Sequence, residues 1–270
     1  MRAVILGLPP TTNNLYTVVA GRQVLSETGR RYHESVAAIL RRLWSGPPSP
    51  APFAVLLTYH LRYDRDVDGS QKVLLDGFAP RHRDGAREPI VWNDDRQLVL
   101  FAARKVHAGK TTLPYVSVII HELAVAPVFV ANTVPPAARV RRRLDFVTNL
   151  IPPSNNNAYT PVGRGRLGRV KTREAREVSA AYAADFAALA AGQPGVRALG
   201  PLFAGAVRLR LRFGFTADRR DVDGSSKVLL DAGRDVLWHD DGQITSYSVS
   251  KARVRSGEEA CIEGGIWEVA

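Results

Sequence analysis

D-V-D-G-S-Q-K-V-L-L-D at residues 66–76 is written again, with one change, as D-V-D-G-S-S-K-V-L-L-D at residues 221–231. Other segments repeat in the same order on either side of it. L-P-P-T-T-N-N-L-Y (8–16) matches I-P-P-S-N-N-N-A-Y (151–159). V-W-N-D-D-R-Q-L (91–98) matches L-W-H-D-D-G-Q-I (237–244), and Lys105 falls opposite Lys251. Between these islands the halves have diverged. Self-similarity of this kind predicts a tandem duplication, in which the acids and one lysine are what stayed the same. The offset between copies is 143 residues at the Pro-Pro segment, 155 at the D-V-D-G segment and 146 at the Asp-Asp segment. The second copy therefore carries extra residues before D-V-D-G, and the first carries extra residues after it. The latter fall in R-H-R-D-G-A-R-E-P (81–89), a polar, mostly basic stretch that reads as a surface loop.

The 270 residues fit two units of ordinary domain size, each able to bury one core. We expect a first copy over 1–124, a linker over 125–142 rich in proline and ending in arginines, and a second copy over 143–270. The single cysteine, Cys261, excludes an intrachain disulfide and points to a reducing compartment. The longest apolar stretch, 113–131, is interrupted by His121, Glu122 and two prolines, so it reads as a strand and linker instead of a membrane span. With no secretion-type leader pattern at its start, the chain is expected to be cytoplasmic. The net charge of +11 favours a polyanionic partner, nucleic acid ahead of an anionic membrane surface.

Each copy reads as α+β: a small mixed sheet of about four strands packed with about two helices. An apolar strand opens it (3–8, 144–151), and a Pro-Pro-x-x-Asn-Asn loop follows. Next comes a helix with one apolar stripe, Tyr32, Val36, Ile39, Leu40 and Leu43 in the first copy and Val178, Tyr182, Phe186 and Leu189 in the second. The following strand alternates Val207, Leu209, Leu211, Phe213 and Phe215 with Arg208, Arg210 and Arg212, so one of its faces is strongly basic. The D-V-D-G motif then turns into a second helix, with Ser70 and Ser225 as candidate N-caps. After the Trp-led Asp-Asp turn, two strands close each copy, 98–106 with 115–123 and 244–254 with 260–269.

The chemistry lies in the acids. Residues i and i+2 of an extended segment point the same way, so Asp66 converges with Asp68 and Asp221 with Asp223. Adjacent carboxylates repel unless a cation sits between them, and hard oxygen ligands suit Mg²⁺ or Mn²⁺. A third acid from Asp94–Asp95 or from Asp240–Asp241 would complete each site, only one of each pair entering because strand neighbours face opposite ways. Such a metal activates water and neutralises charge on a phosphoryl group. Lysine usage sharpens this reading. The chain has 31 arginines and six lysines, and Lys72, Lys227, Lys105 and Lys251 form two matched pairs. A lysine kept in both copies of an arginine-rich chain implies a need for a compact ammonium, to stabilise a phosphorane or to protonate a leaving oxygen. Asp76 and Asp231, four residues on, are read first as helix partners of Lys72 and Lys227.

Competing readings are weaker. A lone D-x-D is often a turn or a cap. The EF-hand spacing starting at Asp64 fails at its twelfth position, Leu75, and its first acid becomes Arg219 in the second copy. A nucleotide-sugar D-x-D belongs to larger α/β domains. The six histidines occupy no matched positions, which argues against zinc.

The P-P-[ST]-x-N-N loop, the R-D-x-D-x-x-x-K-x-x-x-D segment and the W-x-D-D-x-Q-[ILV] segment, in this order and twice, resemble the RusA family of Holliday junction resolvases, here as two fused copies. The resemblance covers most of each half. It implies an endodeoxyribonuclease that cuts four-way DNA junctions symmetrically with Mg²⁺. It implies metal binding by Asp66, Asp68 and Asp95 in the first copy and by Asp221, Asp223 and Asp241 in the second. Lys72 and Lys227 would be the catalytic lysines. We assign Asn13, Asn14, Asn156, Asn157, Lys105 and Lys251 to DNA contact. Gly69 and Gly224 stand where the family typically has Asn, a departure that bears on sequence preference or rate. Family members are homodimers. One chain with two clusters would act as an intramolecular pseudo-dimer and hold both sites at high effective concentration. The alternatives are a junction-binding accessory factor without catalysis, a nuclease with one working site, and a nuclease for RNA or flaps.

Overall fold

The computed structural model describes residues 1–10, 15–19, 22–63, 68–78, 88–109, 111–124, 140–153, 159–162, 168–193, 201–215, 226–254 and 259–269. The architecture is α+β, with mixed strand pairing and four helices among the described residues. The chain divides into two compact units. One is built chiefly from Met1–Leu98 and Ala103–Ala126, the other chiefly from Pro127–Thr160 and Val170–Ala270.

In the first unit, β1 (Arg2–Leu6) leads to a hairpin of β2 (Tyr16–Val19) and β3 (Arg22–Leu25). Helix α1 (Glu27–Leu43) starts where the Ser26 hydroxyl accepts the Gly29 amide at 3.1 Å. Glu27 lies in its first turn and Arg41 and Arg42 in its last, each on the favourable end of the helix dipole. Strand β4 (Phe53–Leu61), helix α2 (Asp68–Asp76), β5 (Leu98–His107) and β6 (Tyr115–Glu122) follow. The strands lie in the order β1-β6-β4-β5, and β6 runs antiparallel to both its neighbours. Val55, Leu57 and Tyr59 of β4 are buried on one face together with Val36 and Leu40 of α1 and Val73, Leu74 and Leu75 of α2. The expected stripe on α1 is corrected at its ends. Leu43 is exposed as the last residue of the helix, while His33 and Ala37 are buried beside Val36, so the covered face is wider than the stripe and stops short of the helix C-terminus.

In the second unit, β7 (Val140–Thr148) precedes α3 (Arg173–Ala191), β10 (Ala206–Phe215), α4 (Ser226–Gly233), β11 (Ile244–Arg253) and β12 (Cys261–Val269). A separate hairpin joins β8 (Tyr159–Val162) and β9 (Gly168–Lys171). The order is β11-β10-β12-β7, with β10 parallel to β11 and antiparallel to β12. Phe146 of β7 packs edge-on against Phe186 of α3 at 5.2 Å, which marks the face of this sheet that α3 covers. Ala175 and Val178 of α3 pack with Val228 of α4. Leu189 is exposed, and Ala190 takes the buried place at the end of the stripe.

Helix α2 begins at Asp68, so Ser70 is a buried residue of the helix instead of its cap. Ser225 lies outside the described residues, and α4 is described from Ser226. Gly77 closes α2 against α1, where an added Cβ would sit 3.0 Å from the Val36 side chain. No helix among the described residues is long and apolar enough to cross a membrane.

Candidate active site

The lysine of each repeated motif sits on a short helix whose other side is packed into its unit. Val73, Leu74 and Leu75 anchor α2, and Val228, Leu229 and Leu230 anchor α4. Lys72 then points its Nζ to Asp76 Oδ1 at 3.2 Å, and Lys227 to Asp231 Oδ1 at 3.0 Å. Each pair spans one helical turn, the arrangement that i and i+4 residues permit. The ammonium groups remain about one-third exposed, with side chains 29% and 33% accessible. Each is thus oriented by its aspartate and still reachable by an anion.

A further cation stands beside Asp231. Lys171, at the end of β9, pairs with Asp231 Oδ2 at 3.2 Å and donates to Ser179 Oγ of α3 at 3.1 Å. Asp231 therefore carries one lysine on each oxygen. In the first unit a different group faces the equivalent pair. His33, buried on α1, is held below the ordinary imidazole pKa chiefly by burial, with the Asp76 carboxylate pulling the other way and the Lys72 ammonium adding to the depression. His33 and Ser179 each lie seven residues after their helix cap, Ser26 or Thr172. The sequence comparison missed Lys171 because Leu25 stands at its place in the first copy. Its signal was its type, a lysine in a chain that elsewhere writes arginine.

The Asp-Asp turns divide the work between their two acids. Asp94 caps a 3-10 turn over Asp95–Gln97 and accepts from the Arg96 amide and guanidinium at 2.8 and 2.9 Å. Asp240 caps the turn over Asp241–Gln243, accepting from the Gly242 amide at 2.7 Å and from Arg234 at 2.8 Å. The second acid of each pair is held from below by a fully buried tryptophan. Trp92 Nε1 donates to Asp95 Oδ1 at 3.2 Å, and Trp238 Nε1 to Asp241 Oδ1 at 3.1 Å. The indole has room because Gly233 lies against it: a Cβ there would sit 2.3 Å from Trp238 Cη2.

The glutamine of each segment ties the turn to the body of its unit. Gln97 Oε1 accepts from the Asn93 and Asp94 amides at 2.8 and 2.9 Å, while its Nε2 donates to the Ser49 and Ala51 carbonyls at 2.7 and 2.8 Å. Gln243 repeats this on His239, Asp240, Phe203 and Gly205. The spacing W-x-D-D-x-Q thus encodes an orienting donor, a cap, an indole-held carboxylate and a tether; that carboxylate is partly exposed at Asp95 and buried at Asp241.

Asp66, Asp221, Asp223, Asn13, Asn14, Asn156 and Asn157 lie outside the described residues, and Asp68 is placed only as the first residue of α2, one turn before Lys72. Lys105 lies on β5 and is half-buried. Lys251 lies on β11 in register with Phe213 of β10 and is buried. Among the described residues no three His, Cys, Asp or Glu side chains gather closely enough to hold a metal ion. The acids that are described, Asp95 and Asp241, are hard oxygen donors of the kind Mg²⁺ takes, so the donor type fits.

Residues 151–263 match the family described as Endodeoxyribonuclease RusA. The matched segment contains Asp221, Asp223, Lys227, Asp241 and Lys251. No curated protein matches the chain. The printed description of the matched family is that of an endodeoxyribonuclease.

Proposed function

We propose that the chain is a metal-dependent, structure-specific endodeoxyribonuclease that resolves four-way DNA junctions by paired symmetric cuts, with two RusA-like copies acting as an intramolecular pseudo-dimer. The observation that carries this reading is the RusA match over residues 151–263, which includes the ion-paired Lys227 and the indole-held Asp241. The first copy is proposed over 1–124, joined through 125–142 to the second over 143–270. Its support is the repetition of each device: Lys72 on Asp76, Trp92 on Asp95, the Asp94 cap and the Gln97 tether.

Asp66, Asp68 and Asp95 would hold the ion in the first copy, and Asp221, Asp223 and Asp241 in the second. When bound, Mg²⁺ or Mn²⁺ supplies an activated water and neutralises phosphoryl charge. The chain's own groups do the rest. The indoles fix the rotamers of Asp95 and Asp241, so these carboxylates need not reorganise during reaction. The Lys72 and Lys227 ammoniums, held by Asp76 and Asp231, place positive charge and a transferable proton at Nζ near a departing oxygen. The Asn loops and Lys105 are assigned to DNA contact; Lys251, expected there from the sequence, is buried in the sheet and is left out of that assignment.

The test is cleavage of a labelled immobile four-way junction with Mg²⁺, beside linear duplex and flap controls. Symmetric cuts confined to the junction are expected, lost in the Asp68→Asn/Asp223→Asn variant while junction binding persists. Cutting by that variant would show the acid assignment to be wrong, and binding without cuts by the wild type would favour an accessory factor.

A further inference from the structure

We infer that Lys171 is a positioning residue of the second unit's site: it clamps the carboxylate that holds Lys227, and so makes the second copy the one that cuts first. The inference rests on the nuclease reading above. Lys171 is the last residue of β9 and directly precedes Thr172, the N-cap of α3. Its ammonium lies 3.2 Å from Asp231 Oδ2 and donates to Ser179 Oγ at 3.1 Å. Lys227 donates to the other oxygen, Asp231 Oδ1, at 3.0 Å. The two lysines therefore meet different oxygens of one carboxylate instead of competing for the same one.

This arrangement bears on Lys227. The terminal torsion of an aspartate is broad, so a carboxylate gripped at one oxygen still swings, and one gripped at both is fixed in its plane. A lysine carries its ammonium on a flexible four-carbon stem, and the place of that ammonium is set by the anion that holds it. The clamp is itself supported from below. Ser179 lies on α3, and α3 packs on α4 through Ala175, Val178 and Val228, so the helix that anchors Lys171 is seated on the helix that carries Asp231 and Lys227. A proton donor held in place beforehand reorganises less as charge develops on a departing oxygen.

The first unit lacks the clamp. Leu25 stands at the corresponding place, last in β3 and directly before the Ser26 cap, and the partner position has changed with it, Ser179 being matched by His33. The Leu25 side chain turns over its own helix, where a Cβ added to Gly29 would sit 3.2 Å from Leu25 Cδ1. Asp76 holds Lys72 through Oδ1, and among the described residues no second lysine or arginine pairs with it. His33 does not replace the missing cation, because burial keeps its imidazole below its ordinary pKa and so neutral at neutral pH. Lys227 is thus the better fixed of the two repeated lysines, and paired cutting acquires an order, with the strand in the second copy opened ahead of the strand in the first. A merely structural pin between hairpin and helix would affect folding and leave turnover alone.

The test reads the second copy by itself. Single-turnover nicking of a labelled four-way junction with Mg²⁺, at saturating protein, is measured in the Asp95→Asn background with Lys171 intact, with Lys171→Leu and with Lys171→Arg. Lys171→Leu, which copies the first unit, should slow the nick about tenfold while junction affinity in chelator and thermal unfolding hold. Lys171→Arg keeps a cation on Asp231 and should recover most of the rate. With both copies intact, the strand cut by the second should appear first among the products, and Lys171→Leu should abolish that order. A lowered unfolding midpoint with an unchanged rate at saturation would overturn the proposal. So would a loss confined to affinity, which would make Lys171 a phosphate contact, or an equal loss on both strands. A second measurement needs neither metal nor cutting. The Lys227 ammonium resonance, among those of the six lysines in isotope-labelled protein, should weaken through faster exchange in Lys171→Leu, and an unchanged resonance would overturn the clamp. A protein that shows this weakening yet cuts no junction would keep the clamp and remove the nuclease reading, so the two failures are distinct.

Discussion

At the scale of single residues, the tryptophan N–H is what separates the two acids of each Asp-Asp pair. Trp238→Phe keeps the apolar ring and the packing around Gly233 but removes the donor to Asp241. Orienting groups around a metal-binding carboxylate are typically worth about 10–100-fold in activity or metal affinity. We expect the variant to lose cutting at the second site by about that factor with its thermal unfolding little changed, and a raised Mg²⁺ requirement should accompany the loss. Full activity at the wild-type Mg²⁺ concentration would show that the indole contact is structural only. The sequence made both acids visible and left open which one is presented, because the choice depends on backbone geometry. Asp94 and Asp240 sit at extended N-cap positions where their carboxylates meet amides of the turn. Lys171 was marked only by its type, a lysine in an arginine-rich chain. It reaches Asp231 from β9 across a gap of sixty residues in the sequence, and no repeat marks it.

At the scale of elements, periodicity showed the helices and the four main strands of each half, and its errors lie at their ends. Leu43 and Leu189 fit a stripe on paper but lie in the last turns of their helices and are exposed, and Ala190 replaces Leu189 in the interior. The hairpins β2–β3 and β8–β9 were not anticipated: their strands are four residues long, too short for an alternation to stand out, and one contains Pro161. The glutamine tethers were read as part of a family pattern, and their physical role emerged only with the fold. Gln243→Ala removes four hydrogen bonds, two that close the turn on the His239 and Asp240 amides and two that tie it to the Phe203 and Gly205 carbonyls. Losing the partners of the more buried of these groups should cost roughly 2 kcal/mol. Thermal unfolding followed by circular dichroism should show the midpoint lowered by several degrees. An unchanged midpoint would mean that water replaces the tether without loss.

At the scale of the whole molecule, the proposal of two cutting sites on one chain rests on a repeated lysine, a repeated carboxylate and a RusA match over residues 151–263. The units differ in what surrounds those sites. Asp231 is flanked by Lys171 and Lys227, whereas Asp76 shares its surroundings with Lys72 and a buried histidine. Such differences make the copies unequal without removing either set of acids. The most direct measurement of the central claim is the product pattern from a labelled four-way junction cut by the wild type, by Asp95→Asn and by Asp241→Asn. The account predicts paired symmetric cuts from the wild type and a single nick from each variant, on different strands of the junction. Paired cuts surviving in either variant would contradict it, because they would show that one carboxylate set is not a cutting site.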